Sequence, residues 1–210
     1  MRCCWNWRAG SLVESPADCR LLIYTHGFNS SALSFKAGLL RDHMARLGFA
    51  QHYACPELSH RPAQAMVQLE ALIASQDPRG VTLVGSSLGG FYATSLVERL
   101  GARAVLVNPA VRPYELLAAY LGPQKNLYTG ASYELTPQHI DEWLGLEVAS
   151  VTPSRYLLIT ASGDEVLDYR AGVERYAGCE QIIVPGSDHG LGDFAGHLDR
   201  VVSFWQAGRV

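Results

Sequence analysis

The chain has 210 residues, long enough to bury a full hydrophobic core and short for two ordinary domains with a linker, so one domain spanning 1–210 is expected. With 48% hydrophobic and 18% charged residues and a mean hydropathy of +0.03, it is neither a disordered nor a fibrous chain. The net charge of −3, from 17 basic and 20 acidic residues with scattered arginines, argues against a nucleic-acid partner.

The first residues, Met1 to Arg8, contain no apolar stretch of signal-peptide length. No later segment reaches the roughly 18 apolar residues of a membrane span, so a cytoplasmic protein without a span is expected. An edge strand through Cys3 to Trp7 is one reading of this extension. The cysteines (Cys3, Cys4, Cys19, Cys55, Cys179) are odd in number and lack CxxC spacing, which favours reduced thiols over disulfides or a zinc site.

Beyond the extension, short apolar runs alternate with segments of helical period. Strands are expected at Leu21 to Thr25, Gln51 to Cys55, Val81 to Val84, Ala104 to Val107, Arg155 to Thr160 and Gln181 to Val184. Most lack period-2 alternation, as strands buried on both faces do. Helices are expected over Ser34 to Leu47, Ala63 to Ala74, Leu88 to Leu100, Tyr169 to Tyr176 and Phe194 to Trp205. This alternation implies an α/β fold, a mostly parallel sheet of about six strands flanked by helices. The stretch 112–153 is longer than a crossover requires and reads as a small helical insertion, or cap. It accommodates one helix near Glu115 to Leu121 and another with Thr136 as N-cap and Pro137 at its first position.

Chemistry concentrates where expected strands end. Val81 to Val84 runs into Gly85-Ser86-Ser87-Leu88-Gly89-Gly90 at the start of an expected helix, which fits the G-x-S-x-G nucleophile elbow with Ser87 at its apex. Gly85 and Gly89 leave room for a strained turn, and the helix start directs free N–H groups toward a developing oxyanion. A serine alcohol needs a base, and His189 lies in the loop after the last strand. Loops at the carboxyl ends of parallel strands converge, so His189 and Ser87 can meet. Asp164 follows the strand Arg155 to Thr160 and its short loop, a position from which a carboxylate can hold the imidazole. Glu165 is expected to point away, Asp168 to cap the helix near Tyr169, and Asp188 to be solvated. Of the remaining histidines, His43, His52, His60, His139 and His197 read as surface or packing residues. His26, in His26-Gly27-Phe28-Asn29-Ser30 after the first strand, reads as a brace for that turn. The same segment is expected to supply one oxyanion donor from the Phe28 backbone, with Leu88 supplying the other. Apolar residues of the insertion, Leu121 and Trp143 among them, are candidates for an acyl pocket.

Together, HGFNS, GSSLGG, GDEVLDY and the S-D-H-G loop resemble the small bacterial YqiA-type esterases of the α/β-hydrolase superfamily, over roughly Leu21 to Trp205. The resemblance implies a serine hydrolase with Ser87, Asp164 and His189 as its triad, acting on esters and on acyl-CoA or other thioesters. The expected reaction is acyl transfer through an acyl-enzyme on a small-molecule ester or thioester, with no cofactor and no metal. The rival of another class is a non-catalytic binding protein on the same fold. Neither the oligomeric state nor the physiological acyl and leaving groups are encoded in these motifs.

Overall fold

The computed structural model describes residues 20–74 and 76–208. The edge strand expected through Cys3 to Trp7, the Cys3-Cys4 pair and Cys19 lie outside the described residues. Six strands form the main sheet: β1 (Leu21–Thr25), β2 (Tyr53–Ala54), β3 (Val81–Ser86), β4 (Arg103–Val107), and, after a hairpin of β5 (Gly122–Lys125) and β6 (Ser132–Leu135), β7 (Tyr156–Ala161) and β8 (Glu180–Val184). The order across the sheet is β2-β1-β3-β4-β7-β8, and every neighbouring pair is parallel. Crossovers must therefore pass over the sheet faces, and among the described residues six helices lie in them: α1 (Phe35–Arg46), α2 (Pro62–Ile73), α3 (Leu88–Leu100), α4 (Pro113–Leu117), α5 (Pro137–Leu144) and α6 (Tyr169–Arg175); α7 (Leu198–Gln206) follows the last strand and packs back on the sheet.

The pleat divides the core in two. On β4, Ala104 and Leu106 face the layer that holds Met66, Leu69, Phe91, Leu96, Tyr114 and Trp143. Val105 and Val107 face the opposite layer, with Leu40 and Met44 of α1 and Val201 and Trp205 of α7. Both faces are covered, so β3, β4 and β7 are buried along nearly their whole length rather than at alternate residues. The carboxyl ends of β1, β3, β4, β7 and β8 share one edge of the sheet, with Thr25 paired to Gly85 and Ser86 to Val107. Among the described residues no helix is long and apolar enough to cross a membrane.

Three expectations are corrected. Of the strand expected at Gln51 to Cys55 only Tyr53–Ala54 pairs, because Ala50–His52 forms a 3₁₀ turn and β1 is the one neighbour among the described residues. The helix expected near Glu115 to Leu121 begins earlier, at Pro113, and tightens into a 3₁₀ turn over Ala118–Tyr120. The β5–β6 hairpin stands where the sequence suggested only helices. Thr136 and Pro137 do open α5, where the backbone N–H of Thr136 donates to His139 Nδ1 at 3.1 Å.

Candidate active site

β3 enters α3 through an abrupt bend at Ser87, whose φ of 54° and ψ of −121° are strained for a residue with a side chain. The bend is held by Ser87 N–H donating to Val107 O at 3.0 Å and by Gly90 and Ala110 N–H donating to Ser87 O. Both flanking glycines are sterically required. A Cβ at Gly89 would lie 1.9 Å from Thr25 O, and one at Gly85 2.6 Å from Gly89 O. Ser87 Oγ consequently projects from the carboxyl edge of the sheet, and His189 Nε2 lies 3.1 Å from it. On the far side of the ring, Nδ1 is 2.8 Å from Asp164 Oδ2.

The structure thus brings Ser87, His189 and Asp164 into one hydrogen-bonded line. The Asp164 side chain is 1% exposed, and its second oxygen accepts the N–H groups of Val166 (2.9 Å) and Leu167 (2.8 Å). Burial raises its carboxyl pKa, but the bonds from His189, Leu167 and Val166 outweigh this and hold it below the usual carboxylate range. An ionised Asp164 accepts from Nδ1–H, which leaves the lone pair of Nε2 facing Ser87. Asp168 sits elsewhere, capping α6 through Arg170 N–H at 3.0 Å. Glu165 departs from expectation. Rather than pointing away, its Oε2 accepts the backbone N–H of His189 at 3.0 Å, which steadies the loop without touching the ring.

Asn108, directly after β4, was not among the residues singled out from the sequence. It is buried with a φ of 42°, donates from Nδ2 to the carbonyls of Asp188 and His189, and accepts Ala161 N–H at Oδ1 (2.7 Å). It ties the histidine loop to the end of β7. The only local signal was an asparagine before Pro109 at a strand end, a position suited to a left-handed turn.

Phe28 and Leu88 flank Ser87. Leu88, first in α3, has no intrahelical acceptor for its N–H, and Phe28 N–H has no acceptor among the described residues. The loop carrying Phe28 is fixed from both sides. His26, kept neutral by burial, accepts Leu58 N–H at Nε2 (3.0 Å). The hairpin holds the other side: Tyr133 Oη donates to Asn29 Oδ1 (2.8 Å), Leu127 N–H to Asn29 O (2.9 Å) and Asn126 Nδ2 to Ser30 O (2.7 Å).

Two clefts meet at Ser87, Phe28 and His189. One, of about 230 Å³, is apolar and walled by Ala110, Pro113, Leu116, Leu117, Tyr120, Val166 and Leu167. The other, of about 430 Å³, runs toward α1 and the histidine loop. Trp143 lines neither. It has no solvent exposure, packs in the core and donates from Nε1 to Tyr92 Oη at 2.9 Å, so its assignment to an acyl pocket is corrected. Leu121 is 45% exposed and also outside both clefts; the preceding 3₁₀ turn puts Tyr120 in that place instead.

The model of a family described as "Uncharacterised protein family (UPF0227)" matches residues 21–206. Among solved structures, a candidate hydrolase of Agrobacterium vitis S4 superposes with a TM-score of 0.71 at 17% identity, covering 90% of this chain and 88% of that one. Est1E of Butyrivibrio proteoclasticus, solved with ferulic acid bound, gives 0.63 at 15% identity over 92% and 89% of the two chains. Mouse alpha/beta hydrolase domain-containing protein 10 gives 0.61 at 15% identity over 87% and 89%. At these identities the likeness establishes the architecture, an α/β-hydrolase fold.

Proposed function

The chain belongs to the YqiA-type family UPF0227, and from that premise we propose that it is a serine hydrolase that cleaves carboxylic esters through an acyl-enzyme. The observation that carries the reading is the unbroken chain of contacts from Ser87 Oγ through His189 to Asp164 at a strained strand-to-helix bend. In the proposed reaction His189 Nε2 takes the Ser87 proton as Oγ attacks the acyl carbon. The carbonyl oxygen, now negative, is held by the N–H groups of Phe28 and Leu88, which are fixed before substrate arrives. His189 passes its proton to the leaving atom, the bond to the acyl carbon breaks, and a water activated by the same nitrogen releases the acid. Asp164 stays ionised throughout and stabilises the imidazolium. The apolar cleft beside Leu88 suits the acyl chain. A thioester would follow the same steps, since only the leaving atom changes.

The test is labelling by a fluorophosphonate together with hydrolysis of a p-nitrophenyl ester. Ser87→Ala is expected to abolish labelling and lower turnover by roughly 10⁴- to 10⁶-fold while keeping the wild-type urea midpoint. A folded Ser87→Ala protein that still turns over near the wild-type rate would end this reading and favour a different nucleophile.

A further inference from the structure

The cleft of about 430 Å³ beside Ser87 differs in chemistry from its apolar neighbour. Its inner wall is the start of α1: Ser34, Phe35 and Lys36 all line it. α1 has 12 residues, and its first turn holds no acidic side chain and no side-chain cap. Gly38 N–H is the first to bond back, to Ser34 O, so the N–H groups of Phe35, Lys36 and Ala37 have no intrahelical acceptor. The partial positive charge of the helix end is therefore uncompensated at the cleft wall.

Two side chains point independently to the same kind of guest. Ser34 is 8% exposed; its Oγ lies beside the Tyr24 hydroxyl but makes no hydrogen bond of ordinary geometry among the described residues. A buried hydroxyl left unpaired is costly unless something at the site engages it. Lys36 is half-buried and has no ion-pair partner among the described residues; Nζ donates one hydrogen bond, to Gly190 O at 2.7 Å, and two donors remain. Burial lowers its pKa more than Asp188 and Asp164 restore it. Asp188 is the carboxylate of this cleft, but it is exposed and its charge is screened by water, whereas Lys36 is partly withdrawn from it.

We propose that this cleft binds an anionic group, a phosphate or a carboxylate, carried by the leaving group of the substrate, with Lys36, Ser34 and the first turn of α1 as donors. The assignment to the leaving side follows by elimination: His189 borders both clefts, the apolar one suits the acyl chain, and this cleft, lined by Lys36, Asp188 and Gly190, is left for the departing group. This inference rests on Ser87 being the nucleophile, but the anion site itself can be tested without turnover.

The experiment compares three butyrate esters that share an acyl group and differ in the alcohol: glycerol, glycerol phosphate and glycolate. For the wild type, kcat/KM is expected to be about tenfold higher for one of the anionic esters than for the glycerol ester. Lys36→Gln should reduce that ratio about tenfold and Ser34→Ala should reduce it by a smaller factor, whatever either does to the glycerol ester. A higher value for glycerol phosphate assigns a phosphate, and for glycolate a carboxylate. A wild-type ratio near one, or a ratio unchanged in Lys36→Gln, overturns the proposal. In parallel, inorganic phosphate or acetate should raise the thermal midpoint of Ser87→Ala but not of the Ser87→Ala, Lys36→Gln double variant. If no ester is hydrolysed in a Ser87-dependent way the serine reading fails, and this binding arm decides the anion site alone: a Lys36-dependent shift upholds it, and no shift overturns it.

Discussion

Asp164 and Asp168 stand four residues apart, share a side-chain type and face different work. Asp164→Asn should lower turnover about 10⁴-fold with a nearly unchanged urea midpoint, because an amide at this site no longer fixes the His189 tautomer. Asp168→Ala should instead cost about 0.5 to 2 kcal/mol of stability by uncapping α6, with the folded fraction still active. Parallel kinetics and urea titrations separate the two, and a catalytically dead Asp168→Ala would reverse the assignment. Asn108 is expected to combine both effects. In Asn108→Ala the buried Ala161 N–H and two carbonyls of the histidine loop lose their partner, which should cost about 1 to 3 kcal/mol and also lower kcat; an unchanged kcat would show that the loop holds itself. At this scale legibility followed the range of the constraint. Gly85 and Gly89 could be read from the letters because a bend that tight excludes a Cβ locally, whereas Asn108 meets residues about 80 positions away. Trp143 was misread for a related reason: an apolar residue on a short helix does not announce which face it turns to the core.

The elements with strong local signals formed where their sequences placed them. β1 and α3 have the expected bounds, since a short apolar run before a glycine loop and a 13-residue helix closed by left-handed Gly101 are each specified nearly within themselves. The β5–β6 hairpin is not. Gly122-Pro123-Gln124-Lys125 has almost no strand propensity, and the pair is held by its neighbours: Asn29, Ser30 and the stack of Tyr133 on His60, with ring centroids 4.3 Å apart. Part of the insertion thus braces the loop of Phe28, while Leu127 and Tyr128 at the hairpin turn line the larger cleft. Tyr133→Phe removes only the hydroxyl that reaches Asn29. It should lower kcat severalfold with KM little changed, and weaken a trifluoromethyl ketone, whose hemiketal oxyanion needs the same donors, by a similar factor. Equal kcat and inhibition in wild type and variant would reduce the hairpin to local packing.

Across the whole molecule, histidines with lowered pKa values link stability to pH; His26 and His139 are buried and His60 is exposed. His60 and His139 are 3.1 Å apart, and burial, reinforced by Arg61, lowers both pKa values; burial also lowers that of His26. A group whose folded pKa is depressed binds its proton more readily when unfolded. Its stabilisation is full above the unfolded value, about 6.5, and declines as pH falls toward the folded one. The urea midpoint should therefore begin to drop as pH falls below about 6.5, before Asp164, Glu98 and Glu142, whose pKa values are also lowered, lose their contribution below about pH 4. Because glutamine can keep the bond to the Thr136 N–H, His139→Gln should flatten the upper limb, and an identical pH profile would exclude this pair as its source. The two-residue length of β2 has one more effect, on how copies of the chain meet. An open sheet presents unpaired amides at its margins, where further strands can add and seed fibres. Here one margin is cut to Tyr53–Ala54 and followed closely by Pro56, while the other, β8, runs straight into Pro185, which has no amide to offer. Among the described residues, one outer rail of the sheet is thus too short to template a neighbour and the other stops at a residue that cannot extend it, which limits how far a further strand could pair along either margin.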